Sequence, residues 1–154
     1  MAARTGVRRP SWLLRGIDGR GAPLESPAGG RYSGRVPPLP ATFSGPELLA
    51  IVGPHVDMLE ELRDTFAEQY PEVLAAIRGA AAAKNARLLA DKAHLMKNVA
   101  SMAGGPSSRE LSVQIEDAAK AGDFAKASAL SDRLATELAG LRQALTAFVA
   151  EQAK

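Results

Sequence analysis

The stretch "DFAKASALSDRLATELAGLRQALTAF", residues 123–148, decides the fold. Leucines recur at 130, 134, 138, 141 and 145, and Phe148 follows, in steps of three and four. Helical geometry stacks such positions into one continuous seam. A strand, alternating every second residue, would scatter them over both faces. Asp123 is placed to cap this helix, directly after Gly122, which closes the element before it. A long helix with one apolar seam needs partners of the same kind, and the chain upstream supplies them.

Ser107 and Glu110 have the spacing of a capping box. The helix they open carries Leu111, Ile115, Ala118 and Ala119 on one side. Before it, Asn85 can cap a helix running to about Ala103, which Gly104-Gly105-Pro106 ends. Further upstream, apolar residues at Val56, Leu59, Leu62 and Phe66 predict a helix from Pro54 to about Gln69. Pro71 then opens another, with Val73, Leu74 and Ile77 on one side and the alanines at 80–83 extending it. Ser44 and Glu47 form a first capping box, with Pro46 between them. The short apolar helix that follows, Leu48 to Val52, stops near Gly53-Pro54. No alternating strand pattern of useful length and no internal repeat is present. Very short turns force neighbouring helices to run antiparallel. The sequence therefore reads as all-α, an antiparallel up-and-down four-helix bundle with an additional short N-terminal helix, over residues 44–154.

Composition agrees. At 154 residues the chain fits one domain with appendages, and aromatics make up only 5% of it. Cysteine is absent, which excludes a disulfide scaffold, a thiolate metal site and a cysteine nucleophile. The net charge of +2 averages two unlike parts. Residues 1–43 hold seven arginines against Asp18 and Glu25, or +5, which leaves −3 for residues 44–154. A mildly acidic bundle lacks the broad basic face that binding to nucleic acid requires. Six of the ten prolines and seven of the fourteen glycines precede residue 41. Such a composition cannot bury enough surface to offset chain entropy, so 1–43 reads as a disordered basic tail or linker. Within it, "RVPPLP" (35–40) reads as a stiff polyproline spacer. No apolar run is long enough to cross a bilayer. The arginine-bearing start lacks the apolar segment of a secretory signal.

Chemistry concentrates in "ADKAHLMKNVASMAGG", residues 90–105. On a helical wheel with Leu88 at zero, Leu89, Leu95, Met96, Val99, Met102 and Ala103 fall in a broad arc centred near 30°, roughly. That arc is the expected core face. Lys92 intrudes on it at about 40°, where it must snorkel or fill a gap between helices. His94 lies at about 240° and is expected to face solvent. Around it on the outer surface are Arg87, Ala90, Lys97, Asn98 and Ser101, all small or polar. A partner could bring its own active site against this surface. Lys97 lies within side-chain reach of whatever His94 carries and would attract phosphoryl oxygens. A neutral imidazole is a nucleophile. His55, in "GPHVD" at a helix start, matches no motif and reads as structural. The methionines Met96 and Met102 read as core filler, and the acidic pairs Glu60-Glu61 and Glu116-Asp117 as solvated faces. Two distant histidines without spaced carboxylates give no metal site, and no cofactor motif is present.

"AHLMKN" (93–98) resembles the A-H-x-L-K-G signature of histidine-containing phosphotransfer (HPt) domains. The likeness continues without a gap. Gly104 falls where that family has a glycine ending the histidine helix. Leu111, Ile115 and Glu116 match its "L-x-x-x-L-E", followed by Ala118, Ala119 and "AGD" at 121–123. The lead-in "LRDTFAEQYPEVLAAIRGAAAAKN" is also similar, so about residues 56–148 are covered. Met96 and Asn98 stand where the family has leucine and glycine. The resemblance implies a four-helix bundle exposing a phospho-accepting histidine, here His94, with Lys97 steadying the phosphoryl group. It implies a cytoplasmic, monomeric phosphocarrier without its own ATP-dependent kinase activity. Its partners would be response-regulator receiver domains and a hybrid sensor histidine kinase, without nucleic acid or membrane. Asn98 in place of the glycine, whose absence of a side chain leaves room for a docking receiver, also admits a second reading. On that reading the chain is a helical interaction or scaffold module that has lost transfer.

Overall fold

A computed structural model describes residues 39–154, all helical apart from caps and turns. Five helices follow one another: α1 (Gly45–Val52), α2 (Val56–Ala82), α3 (Ala86–Met102), α4 (Pro106–Lys120) and α5 (Phe124–Gln152). Helices α2 to α5 pack as a closed ring, α2 on α3, α3 on α4, α4 on α5 and α5 back on α2. Three-residue connections make each an antiparallel neighbour of the next. The all-α bundle with a short leading helix is thus the observed architecture. The leucine seam is its spine, with Leu134, Leu138, Leu141 and Leu145 fully buried. Burial of each such side chain stabilises the fold by about 1.5–3 kcal/mol.

The three connections in the ring are one structure used three times. At each, one residue takes left-handed backbone: Lys84 at φ 56°, Gly104 at φ 72° and Gly122 at φ 71°. The residue after it donates its N–H back over the helix end, Asn85 to the Ala80 carbonyl, Gly105 to Ala100 and Asp123 to Ala118, each at 2.9 Å. This is the pattern that satisfies the last carbonyls of a helix. That same residue is the N-cap of the next helix. Asn85 accepts from the Leu88 N–H at 3.1 Å and Asp123 from the Lys126 N–H at 3.1 Å. Glycine is needed at 104 for a second reason, because a Cβ there would lie 2.9 Å from the Ser44 carbonyl oxygen.

Three expectations need correction. Residues 54–82 do not form two helices: α2 runs through Pro71. Proline removes the bond to the carbonyl four residues back and crowds it. The helix survives because its face is anchored on both sides, by buried Phe66 before and Ile77 after. Phe66 also stacks on Tyr70 with centroids 4.9 Å apart. Second, Ser107 is not the cap of α4. Gly105 holds that position with Pro106 in the first turn. The Ser107 hydroxyl instead donates to Glu137 Oε1 at 2.6 Å. The first capping box forms by half: Ser44 accepts from the Glu47 N–H at 3.2 Å, while Glu47 faces Arg109 at 3.3 Å.

Third, the tail read at 1–43 lies outside the described residues as far as Pro38, but residues 39–43 belong to the folded body. Leu39 and Phe43 pack on the core. Phe43 meets Phe148 at 5.3 Å between centroids. The Ala41 carbonyl accepts from the Ser107 N–H at 3.0 Å, and the Ser44 N–H donates to the Gly104 carbonyl at 2.8 Å. Thr42 donates to the same Glu137 oxygen as Ser107, at 2.9 Å. Among the described residues no helix is long and apolar enough to cross a membrane.

The continuity of α2 is testable. An interior proline costs about 3 kcal/mol, of which its restriction of the unfolded chain offsets up to about 1. Pro71→Ala should therefore stabilise the protein by about 2 kcal/mol, read as a higher urea midpoint at unchanged slope. A lower midpoint would mean that Pro71 starts a separate helix.

Candidate functional site around His94

The rotation of α3 about its axis decides what the site contains. Leu89, Ala93, Met96, Ala100 and Ala103 are fully buried. On the wheel used above they centre near 100°, roughly 70° from the expected arc. Leu88, Leu95 and Met102, expected in the core, are 40%, 41% and 50% exposed. Met96 is core filler as expected, but Met102 is not. Lys92 is half-buried at the edge of the buried stripe.

His94 follows buried Ala93 and projects from the opposite side, with its side chain 53% exposed. Arg87 and Asn98 are exposed near it, and Ala90, Lys97 and Ser101 are half-buried. The structure therefore places all six expected positions on or beside one outward face of α3. Ser101 turns its hydroxyl back onto the helix, donating to the Lys97 carbonyl at 2.8 Å. Asp91, exposed one turn before His94, joins this face and was not singled out in the sequence.

The larger omission is on α4. Glu116 Oε1 lies 3.4 Å from His94 Nδ1, and Glu116 Oε2 lies 3.5 Å from Lys120 Nζ. Glu116 was expected on a solvated face, yet its side chain is only 17% exposed. It sits in the seam between α3 and α4 with each oxygen turned to a different nitrogen. Both contacts exceed a usual hydrogen-bond length of about 2.9 Å, so they act electrostatically. Glu116 could be found in the sequence only through the "L-x-x-x-L-E" pattern, since it is 22 positions from His94. Lys120 carries no sequence signal beyond standing four residues after Glu116, the favourable order for a helical ion pair.

On the other flank of α3 a groove of about 290 Å³ opens against α2. Leu62, Phe66 and Gln69 line it from α2, and Asn98, Val99 and Met102 from α3. His55 is exposed at the N-cap position of α2, without a side-chain capping bond, and far in sequence from this site. Among the described residues no three His, Cys, Asp or Glu side chains are grouped to hold a metal ion.

The bundle thus presents one histidine from the middle of α3, with about half of its side chain open to solvent. The model of the Hpt domain family matches residues 61–144, more than half of the chain, and the protein belongs to that family. Its members are phosphotransfer modules of two-component signalling and phosphocarriers rather than kinases; they interact with receiver domains and histidine kinases. The matched span begins inside α2 and ends inside α5, so α1 and residues 39–44 lie outside it. No curated protein matches the chain, and no solved structure does.

The outward setting of His94 makes its side chain dispensable for folding. His94→Gln should change stability by less than about 0.5 kcal/mol in thermal unfolding. Ala93→Leu, one residue earlier, overfills the core and should cost about 2 kcal/mol. Equal losses at the two positions would place the imidazole inside the bundle.

Proposed function

We propose that the protein is a phosphorelay intermediate in which His94 accepts a phosphoryl group from the aspartyl phosphate of a receiver domain and passes it to a second receiver. The observation that carries this reading is an exposed imidazole whose Nδ1 faces Glu116, which leaves Nε2 as the nitrogen directed at a docking partner. The lone pair of Nε2 attacks phosphorus in line. The N–P bond forms as the acyl-phosphate P–O bond breaks, and the electron pair leaves with the aspartate carboxylate. The ring keeps its Nδ1 proton and acquires positive charge, 3.4 Å from the Glu116 carboxylate. Attack by the aspartate of the second receiver reverses these bond changes.

Lys97, one turn after His94, steadies the phosphoryl oxygens as a point charge. Arg87, Ala90, Asn98 and Ser101 form the surface on which the receiver seats. Exposed Leu95 and Met102 add apolar area beside them. The receiver supplies the remaining catalytic groups, and a hybrid sensor histidine kinase is the upstream source.

Incubation with a receiver charged by acetyl phosphate should label the chain, and His94→Gln should abolish labelling at unchanged helicity. Label that persists in that variant would refute His94 as the acceptor. Asn98 favours one competing reading, because its side chain stands on the docking surface where the family has glycine. A stable receiver complex that never transfers label would support a scaffold module instead.

A further inference from the structure

We infer that Lys120 is a positioning residue for the His94 reaction, acting through Glu116. The inference rests on the relay reading above. A carboxylate beside a histidine steers the reaction only if it stays there, and Glu116 has two ways to be placed. Its backbone is on α4, its target is across a helix seam on α3, and an unrestrained glutamate has three rotatable bonds to carry it into solvent. In the structure both oxygens are committed, Oε1 toward His94 Nδ1 and Oε2 toward Lys120 Nζ. Lys120 follows Glu116 by one turn and ends α4, where the helix dipole favours an ammonium. Its stem is free to follow the carboxylate, since the side chain is 65% exposed. The ammonium therefore holds the second oxygen while the first addresses the ring.

The consequence is chemical. A carboxylate facing Nδ1 favours the tautomer that carries its proton on Nδ1, opposite to the preference of the free ring. That tautomer presents the lone pair on Nε2, the nitrogen that must attack phosphorus. Lys120 does not touch the reacting atoms. It acts by keeping Glu116 in the rotamer that sets the tautomer, as outer partners of a functional histidine do elsewhere. It also offsets the negative charge of Glu116, which would otherwise stand uncompensated beside the incoming phosphoryl group.

The first test needs no transfer. In the full chain, long-range proton–nitrogen correlation of the neutral His94 ring should show the Nδ1-protonated pattern, the signal being assigned by its absence in His94→Gln. Glu116→Gln and Lys120→Met should both move it toward the Nε2-protonated pattern, and Lys120→Arg should keep it. The second test is a double-mutant cycle on labelling by a phosphorylated receiver. Glu116→Gln should slow labelling by about tenfold, and Lys120→Met by about threefold. In the Glu116→Gln background Lys120→Met should have no further effect. An unchanged ring pattern in Lys120→Met, or a threefold loss that persists without the carboxylate, overturns the inference. Should the native chain not be labelled at all, the relay reading fails, while the ring pattern still decides the role of Lys120.

Discussion

Ala93, Met96 and Ala100 bury one narrow stripe of α3 against its neighbours in the ring, and the position of that stripe fixes what the helix shows to solvent. Side chains on a helix are separated by fixed angles, so burying position 93 forces position 94 outward. The alanines matter as much as the methionine. Small side chains let α3 approach its ring neighbours α2 and α4 closely. Nothing about His94 itself sets its exposure. The imidazole is where it is because its neighbour is needed inside.

The turns hold this rotation in place. Each connection in the ring ends one helix and caps the next with the same residue, so neither helix can slide or spin without breaking backbone bonds at its end. The α3–α4 turn is the most heavily tied. The Gly104 carbonyl accepts the Ser44 N–H, the Ser107 N–H donates to the Ala41 carbonyl, and Glu137 accepts from the hydroxyls of Thr42 and Ser107. These bonds join the chain segment before α1 to the turn that terminates the histidine helix and to the middle of α5. A registry fixed at that turn is carried three turns back to His94 and across the seam to Glu116.

Much of this was legible in residue order. The seam at 130–145, the caps at Ser44, Asn85 and Asp123, and the stop signals at Gly53, Gly104 and Gly122 are local rules, and they hold in the structure. The misreadings share a cause, which is that a local signal was outvoted by packing. Pro71 reads as a helix start, but Phe66 and Ile77 keep both sides of it on one core face. Ser107 reads as a cap, but α4 already begins at Pro106 with Gly105 as its cap, and the Ser107 hydroxyl donates across to Glu137 on α5. Residues 39–43 read as tail because proline and glycine surround them, yet Leu39, Thr42 and Phe43 find partners on the bundle.

The sequence alone determined that this protein is a bundle of antiparallel helices and that His94 and Lys97 lie on one side of α3, because periodicity, caps and the flanking motif depend only on near neighbours in the chain. Hydrophobicity nevertheless drew the core face of α3 toward Leu88, Leu95 and Met102. Only the tertiary structure decided that Ala93 and Ala100 are buried beside Leu89 and Met96 while Leu88, Leu95 and Met102 stay exposed, since close helix packing favours small side chains at the contact. It alone brought Glu116 and Lys120 to the histidine, because proximity across two helices is set by how those helices rotate and register. That information is spread over the whole bundle rather than written at any one site.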